Sequence, residues 1–317
     1  MSANNKEQYR KLCTARQELP LFFQDWWLDV CCGPKQWDVA LAKDKAGHVL
    51  GIMPWFLGRN KGLKMLYMPP LTPYLGPWFF YPSGLKRQHS FEKKVIAALV
   101  EQLPDCAFFF QDCTLGFDNW LPFYWKGYKQ TTRYTYVFDD LSDLDAIFLG
   151  LNSSVRNKIR KAEKQLTITT VEDIEIFYQL NQKTFARQQM DAPHSLAFLR
   201  KLDKALEERA QRYIYIAKDA EGQAHAGLYL TWDRHTAYNL MLGADTQLRT
   251  SGAVQLLLWR AIQEAARRCL RFDFEGSMLP SVESLFRSFG ARQQPYFRLY
   301  KGRNRLMLLL KDLFAKW

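Results

Sequence analysis

The sequence lacks the features of a membrane-spanning or disulfide-rich protein. Its 317 residues contain no uninterrupted apolar run of the roughly 18 residues that a membrane-spanning helix needs. The opening residues 1–11 are polar and do not resemble a secretory signal. The six cysteines form no C-x-x-C pair, which favours buried free thiols in a reducing compartment over a disulfide scaffold. We therefore expect a cytoplasmic protein.

Several catalytic signatures are also missing. The sequence contains no G-x-x-x-x-G-K phosphate-binding loop, no G-x-G-x-x-G dinucleotide motif and no G-x-S-x-G nucleophile motif. Its five histidines lack the spacing of a metal site: His48, His89, His194, His225 and His235. No metal is predicted.

Size and charge narrow the class of protein. A chain of 317 residues suits two domains of about 150 residues each. A hydrophobic content of 48% is enough for two cores and excludes general disorder. The formal net charge of +12 favours an anionic partner, namely a nucleic acid, a nucleotide or an anionic membrane face. The alternative is a basic surface without a function.

The two halves of the chain repeat the same pattern. Residues 40–51 (ALAKDKAGHVLG) and 215–227 (YIAKDAEGQAHAG) each predict a β-hairpin, with Asp and Gly in the turn. After a further strand, the matching later segments are an amphipathic helix (91–103, 252–268), an apolar strand (108–112, 271–276), a short helix with similar residues (126–131, 289–294) and an aromatic strand (134–138, 296–300). The order predicts an α/β protein whose mixed sheets have a helix crossing between parallel strands.

The boundary between the repeats is predicted within residues 139–152, which are acidic and rich in turn-forming residues. This gives an N-terminal domain, 1–145, and a C-terminal domain, 146–317. We expect the first to be degenerate or to bind the acceptor, because only Ser83-Gly84 and Ser90 precede its helix. The second is expected to hold the donor site.

This order of elements resembles the GNAT (acyl-CoA N-acyltransferase) fold, in two tandem copies. The second half is similar to the Fem family of peptidoglycan-bridge aminoacyl-transferases and to BioF2-like acetyltransferase domains. The segments that carry the resemblance are SVRNKIRKAEK (154–164), TFAR (184–187), FDFEGS and LFRSFGARQQPYF (within 272–297), and PPLTPYLGPW (69–78). The resemblance implies a bacterial transferase whose donor is an acyl-CoA or an aminoacyl-tRNA.

Two departures from the Fem pattern stand out. Where the family often has F-K-x-x-F-G, this sequence reads L-F-R-S-F-G, with Phe286 at the lysine position and Arg287 next to it. The role of that lysine is therefore in doubt. No long helical hairpin is inserted in the second half, so the arm that contacts tRNA in some family members is absent.

The predicted donor site lies at the start of the second long helix. The family pattern R/Q-x-x-G-x-G/A matches Arg249 and Gly252, while Val254 replaces the small residue. Backbone N–H groups of Thr250, Ser251 and Ala253 would join them in binding the donor's phosphates at a helix N-terminus. The structural alternative is an ordinary helix start with Ser251 as its cap.

The predicted catalytic residues lie on two strands of the second half. Asp273 and Glu275 are two residues apart, on one face of a strand, where either carboxylate could accept the proton of an attacking amine. A purely structural role is the alternative for both. Backbone N–H groups from Asn239 to Gly243 are expected to polarise the acyl carbonyl.

Four further side chains are candidates for substrate binding. Tyr74 and Trp78 flank a Pro-rich loop and could stack on a sugar or base. Arg187 matches the arginine that the resemblance places beside a nucleotide-sugar diphosphate, in the cleft between the halves where the acceptor enters, and Arg287 is the fourth. The alternative for Arg187 is a surface ion pair with Asp191.

Two basic segments suggest contact with polyanions or membranes. The helix 152–164 carries Arg156, Lys158, Arg160, Lys161 and Lys164 around an apolar face of Val155, Ile159 and Ala162. It suits tRNA or acidic lipid, or is merely a solvated face. Residues Asn304–Trp317 predict an amphipathic helix that touches a membrane or packs on the second domain.

The sequence thus favours direct acyl or aminoacyl transfer to an amine, without a covalent enzyme intermediate. Two alternatives stay open. The first is a strict Fem-type enzyme that uses aminoacyl-tRNA and a cell-wall precursor. The second is a non-catalytic double-GNAT module that binds a ligand or a membrane. The oligomeric state is not predicted.

Overall fold

The computed structural model describes residues 3–60, 62–84, 87–187, 189–269, 271–276 and 278–304. They form two compact units. The first comprises the described residues up to Arg133 and from Pro295 onward, and the second comprises Tyr134–Gln294. The predicted helix within Asn304–Trp317 lies outside the described residues except for Asn304 itself. No helix in the described ranges is long and apolar enough to cross a membrane.

The elements follow one another in the order predicted for a duplicated chain. The first half contains α1 (Ala3–Ala15), α2 (Asp25–Cys32), β1 (Trp37–Lys43), β2 (Val49–Asn60), β3 (Leu63–Tyr67), β4 (Trp78–Phe79), α3 (His89–Val100), β5 (Phe108–Asp112), α4 (Leu121–Trp125) and β6 (Lys129–Phe138). The second half contains α5 (Leu144–Gly150), α6 (Ser153–Glu163), β7 (Thr167–Val171), α7 (Ile174–Ala186), α8 (Leu196–Glu207), β8 (Arg212–Lys218), β9 (Ala224–Trp232), β10 (Thr236–Ala244), α9 (Ala253–Ala266), β11 (Arg271–Asp273), α10 (Pro280–Arg287) and β12 (Arg292–Gly302).

Each unit has a mixed sheet with the same connectivity. In the first unit β1, β2 and β3 are antiparallel, and β5 joins β3 in parallel after the crossover helix α3. In the second unit β8, β9 and β10 are antiparallel, β11 joins β10 in parallel after α9, and β7 extends the other edge. This is the α/β arrangement of a tandem GNAT protein, as the sequence predicted.

The hairpins agree down to their turns and their irregularities. Gly47 and Gly222 have φ of +89° and +81°, a conformation that glycine adopts without steric cost. Each hairpin also has a register shift just before the turn, between Ala42 and Lys43 in one unit and between Ala217 and Lys218 in the other. The repeated A-K-D segment therefore produces the same local structure twice.

The last strand of each repeat pairs with a strand of the other repeat and not with one of its own. The end of β12 pairs with β5 in the first unit, from Arg298 opposite Asp112 to Gly302 opposite Phe108. The end of β6 pairs with β11 in the second unit. Each unit therefore completes its sheet with a strand from the other half of the sequence. Hydrophobic patterning identifies a strand but does not specify its partner.

The sheets are covered by helices whose apolar faces form the cores. In the second unit α9 contributes Leu257, Leu258 and Ile262, which are fully buried with Phe272 of β11. In the first unit Ile96 and Leu99 of α3 pack with the buried Phe109. Apolar side chains at helical spacing drive this packing because their burial removes them from water.

The cysteines are free, as expected. Five of the six are buried and Cys106 is half-buried. Burial raises the pKa of the Cys13 thiol to about 12, with a further contribution from the charge of Asp25. A thiol with such a pKa is un-ionised near neutral pH and is a poor nucleophile.

Candidate active site

The candidate site begins where β10 and β11 part. The two strands pair through three residues, ending with Tyr238 opposite Asp273. There β11 ends, whereas β10 continues to Ala244 and stays paired with β9 on its other side. In an antiparallel strand, alternate residues point their N–H and C=O groups away from the partner. The stretch from Asn239 to Ala244 therefore has backbone groups directed away from β9, on the side where β11 has ended.

A β-bulge marks the start of this stretch. Asn239 lies opposite Leu230 and Met241 lies opposite Tyr229, so Leu240 has no counterpart in β9. Bulges interrupt the ladder and redirect backbone and side chains. Asn239 is buried, with only 5% of its surface exposed. Among the described residues its Oδ1 atom has no hydrogen-bond partner, an arrangement that calls for a ligand or water when the site is occupied.

Helix α7 fixes the far end of β10. A Cβ on Gly243 would lie 2.6 Å from the backbone N of Asn181, so only glycine lets the helix approach this closely. The side-chain amide of Asn181 donates to the carbonyl of Leu242 at 3.2 Å, and the N–H of Ala244 donates to Thr184 Oγ1 at 2.9 Å. The threonine of the T-F-A-R segment thus positions β10. Sequence reasoning named Gly243 only as the end of the carbonyl-polarising stretch and did not identify Asn181.

Arg187 lies just after the end of α7 and is exposed, while Phe185 is half-buried. Lys183, in the last turn, pairs with Asp245 at 2.5 Å, so this end of the helix is also anchored to the loop after β10. Arg187 makes no ion pair with Asp191 or any other acid among the described residues. The role of Arg187 as a phosphate ligand therefore stays a prediction.

Asp273 is a buried structural carboxyl in this arrangement. It is fully buried and accepts from Thr135 Oγ1 at 2.6 Å and from the N–H of Glu275 at 2.8 Å. The N–H of Gly276 donates back to Thr135 Oγ1 at 2.8 Å. A Cβ on Gly276 would lie 2.3 Å from Thr135 Cα, which explains the glycine of the FDFEGS segment. Together these contacts hold residues 273–276 against β6.

Glu275 does not share a strand face with Asp273, contrary to the expectation from sequence. The strand ends at Asp273, and Glu275 has φ of +52°, a left-handed conformation that is costly for a residue with a side chain. The residue is partly exposed, but its Oε1 atom is buried and has no hydrogen-bond partner in the described part of the chain. Burial, together with the charge of Asp273, raises the pKa of Glu275 well above its ordinary value. Strain and a perturbed carboxyl together are typical of a functional residue.

The predicted donor loop forms a tight entry into α9. Residues Arg249–Ser251 make one turn of 3-10 helix, and Gly252 follows with φ of +81°. The N-cap of α9 is Gly252 and not Ser251, although Ser251 Oγ accepts from the N–H of Ala253 at 3.3 Å. Arg249 and Thr250 are exposed and Val254 is half-buried, whereas Gly252 and Ala253 between them are buried.

The basic helix α6 lies against this loop. A Cβ on Gly252 would lie 2.7 Å from the carbonyl oxygen of Lys158. The apolar face of α6 is buried as predicted, and Arg156 donates to the carbonyl of Leu149 at 2.6 Å, which gives it a structural role. Three exposed lysines of the helix make no ion pair among the described residues: Lys158, Lys161 and Lys164. The helix that carries these lysines therefore packs through its backbone against the start of α9.

In the first unit, the start of the matching helix α3 has a buried carboxylate of the protein itself. Glu92, in the first turn of α3, is buried and accepts from Tyr81 OH at 2.5 Å and Asn119 Nδ2 at 2.8 Å. Burial opposes its ionisation, but these donors and Arg87 outweigh burial and lower the pKa of Glu92. Arg87 also pairs with Asp118 at 2.5 Å, so a guanidinium already bridges the acidic groups that lie near His89.

The remaining candidates have contacts of their own. Tyr74 is buried and packs edge-on against Tyr296, with ring centroids 5.1 Å apart. Trp78 is half-buried in β4 and its ring lies 5.6 Å from that of Phe23. Arg287 is exposed and pairs with Glu283 at 3.0 Å, while Phe286, at the family's lysine position, is in the core.

A surface groove lies at the other end of α9. Its volume is about 510 Å³, and Tyr213, Arg260, Arg267 and Arg268 are among its lining residues. The buried Glu264 pairs with Arg267 at 3.2 Å and with Arg268 at 2.9 Å. Glu264 already neutralises part of the charge of these arginines. Cations are also favourable at a helix C-terminus without any ligand, so the groove does not require one.

Comparison with known proteins identifies what this unit is similar to. Residues 151–280 match the family model described as "Acetyltransferase (GNAT) domain". That range contains Asn239, the donor loop and both carboxyls. No curated protein matches the sequence.

Solved structures extend the likeness to the whole chain. The crystal structure of FemX matches with a TM-score of 0.69 and 14% identity, over 98% of each chain. A structure described as the C-terminal domain of a lysylphosphatidylglycerol synthetase from Agrobacterium fabrum matches with a TM-score of 0.58 and 12% identity, over 99% of this chain and 96% of that one. A tandem GNAT protein from the clavulanic acid biosynthesis pathway matches with a TM-score of 0.52 and 10% identity, over 84% and 83%. The chain therefore has the Fem-like tandem GNAT fold.

The close approach of α6 makes Gly252 sensitive to substitution. We predict that Gly252→Ala destabilises the protein by about 2–4 kcal/mol, because the new Cβ meets both a left-handed backbone and the Lys158 carbonyl. Gly222→Ala is the matched control: its φ is also +81°, but nothing lies within 4 Å of the new Cβ. Thermal unfolding should show the larger loss for Gly252→Ala, and equal losses would contradict the packing described.

The raised pKa of Glu275 makes a second prediction about stability. The pKa of this carboxyl is higher in the folded state than in the unfolded state. Its protonation therefore stabilises the folded state at low pH, and this stabilisation is lost as the pH rises from the pKa of the unfolded state through that of the folded state. Glu275→Gln cannot ionise. The melting temperature of the variant relative to the natural protein should therefore increase from pH 4 to pH 8. A difference that stays constant with pH would show that Glu275 titrates normally.

Proposed function

We propose that the protein is an N-acyltransferase, which moves an acyl or aminoacyl group from an activated donor to an amine by direct attack. The GNAT match supports acyl transfer as the class of activity. The observation that carries the proposal is the edge of β10 released after the Tyr238–Asp273 pair, with a bulge at Leu240 on one strand and Glu275 just beyond the pair on the other.

Each part of this arrangement suits one requirement of the reaction. Backbone N–H groups of β10 between Asn239 and Gly243 can donate to the acyl carbonyl and stabilise the negative charge that develops on its oxygen. The amine nitrogen forms the new bond to the carbonyl carbon and gives its proton to the Glu275 carboxylate. The bond to the donor's sulfur or oxygen then breaks, and the leaving atom takes a proton from the Glu275 carboxyl, directly or through water, which returns Glu275 to its carboxylate form. Asp273, fixed by Thr135, positions Glu275 in this scheme.

The donor would be held at the start of α9. The backbone N–H groups at the start of this helix and the exposed Arg249 suit phosphates, which both acyl-CoA and aminoacyl-tRNA carry. The free lysines of α6 add positive charge near this point. Arg187 and Arg287 are exposed and stay candidates for the acceptor, as does Trp78; Tyr74 would contribute through its packing. We also propose that the reaction takes place in the cytoplasm.

A Fem-type reaction is the second candidate. The structures that this chain resembles include FemX and the C-terminal domain of a lysylphosphatidylglycerol synthetase, which suggests aminoacyl-tRNA as donor and a cell-wall precursor or lipid as acceptor. The free basic residues of α6 favour a polyanionic donor. A non-catalytic role is the third candidate, for which the replacement of a small residue by Val254 is the main support.

A thermal-shift screen separates these candidates. A ligand that binds the folded state at about 100 times its Kd stabilises the protein by about 2.7 kcal/mol. Acyl-CoAs, aminoacyl-tRNA and nucleotide-linked muropeptides should be compared at matched excess. A shift with acyl-CoA supports a CoA enzyme and a shift with aminoacyl-tRNA supports the Fem-type reaction. If neither donor shifts the melting temperature, the transferase proposal fails.

Arg249 provides a direct test of the donor site. We predict that Arg249→Ala weakens binding of the donor found in that screen by about tenfold, the loss of one charge-assisted contact, while the melting temperature is unchanged. Arg234→Ala is a suitable control, because Arg234 is also an exposed arginine of the second unit. Equal affinity in the two variants would remove the donor loop from consideration.

The role of Glu275 as the base can be tested by the dependence of rate on pH. With a raised pKa, Glu275 is protonated at low pH, so kcat/KM should rise as pH increases through that pKa. Glu275→Gln should remove this rise and lower kcat by about 10² to 10⁴. A variant that keeps both the rate and the pH profile would show that the proton leaves by another route.

A further inference from the structure

Helix α4 in the first unit presents an apolar face to solvent. Leu121, Tyr124 and Trp125 are 50%, 52% and 57% exposed. They are spaced i, i+3 and i+4, which places them on one face of the helix. A surface helix normally directs its apolar face to the core and its polar face outward. We refer to these three residues as the α4 face.

The exposure does not result from a poorly anchored helix. Pro122 and Phe123 are buried, and the Phe123 ring packs edge-on against Phe117 and Tyr128 at 6.3 and 5.3 Å. These anchors use the inner face of the helix, so the outward direction of the α4 face is fixed by packing. Contiguous exposed apolar side chains of this kind usually mark an interaction surface.

The charges around the α4 face indicate its partner. The Lys93 ammonium lies 4.6 Å from the centre of the Trp125 ring. Lys94 follows on α3 and Lys126 follows on the chain, and both are exposed. Two described acids are nearby, and both are paired: Glu101 with Lys126 at 3.1 Å, and Asp118, three residues before Leu121, with Arg87 at 2.5 Å. A surplus of positive charge thus borders the apolar residues.

We propose that the α4 face docks the protein on an anionic membrane surface. Trp and Tyr have an apolar ring with a polar group, a combination favoured at the boundary between lipid head groups and acyl chains. Lysines beside them attract anionic head groups, at about 1 kcal/mol each near a charged surface. The binding is peripheral and does not depend on the transferase reaction proposed above.

Vesicle co-sedimentation of the full chain tests the proposal. Vesicles of equal parts phosphatidylglycerol and phosphatidylcholine should retain the protein at low salt, and phosphatidylcholine alone should retain much less. The triple variant Leu121→Ser, Tyr124→Ser, Trp125→Ser should lose at least about tenfold in partitioning, since three interfacial side chains are removed. Lys93→Ala with Lys94→Ala should lose about fivefold per lysine.

Leu149→Ser is the matched control, because Leu149 is 70% exposed in the second unit. It should bind vesicles like the natural protein. Melting temperatures should be equal throughout, since all these side chains are on the surface. Residues 305–317 are present in every variant, so any binding by that segment is common to all. Undiminished binding by the triple variant, or an equal loss in Leu149→Ser, would overturn the proposal. A dimer that the triple variant abolishes, without vesicle binding, would also overturn it and indicate a second copy as the partner.

Discussion

The geometry of the candidate site depends on the hydrogen bonds made by one buried carboxyl group. Asp273 is fully buried at the last residue of β11, where a polar group without hydrogen bonds would cost several kcal/mol. Its donors are Thr135 Oγ1, from β6, and the N–H of Glu275. These bonds keep the chain on β6 after the strand ends, so it cannot follow β10 any further. The released edge of β10 is the consequence, and the left-handed turn at Glu275 is its steric cost.

The rest of the second unit supports that edge through close backbone contacts. At Gly243 the backbone of α7 lies within 2.6 Å of where a Cβ would be, and at Gly252 the backbone of α6 lies within 2.7 Å. A side chain at either position would push a helix away. Thr184 and Asn181 then hold the strand by hydrogen bonds to Ala244 and Leu242. The open stretch of β10 is thus rigid at both ends, which suits a group that must donate to a carbonyl at a fixed position.

The sequence predicted the elements that are determined by residues close together along the chain. The two hairpins follow from Asp and Gly in their turns, and α3, α6 and α9 follow from apolar residues at helical spacing, with ends that differ by a few residues. The structure adds what depends on distant partners. No local pattern states that β12 pairs with β5, that a bulge falls at Leu240, or that the strand stops before Glu275. The residues Arg249 to Val254 could be proposed from the sequence because they make one continuous segment, whereas Asn181 and Thr135 act from other elements.

The two crossover helices show how the repeats have diverged. Both begin beside unpaired backbone N–H groups, where negative charge is favourable. In α3 the chain supplies that charge itself, because Glu92 is buried in the first turn and satisfied by Tyr81, Asn119 and Arg87. In α9 the first turn has no acidic residue. Ser251 satisfies one N–H, and the exposed Arg249 and the free lysines of α6 leave an excess of positive charge. The same fold therefore has an internal carboxylate at this place in one unit and an excess of positive charge in the other, which is the physical reason for proposing the donor site on the second unit.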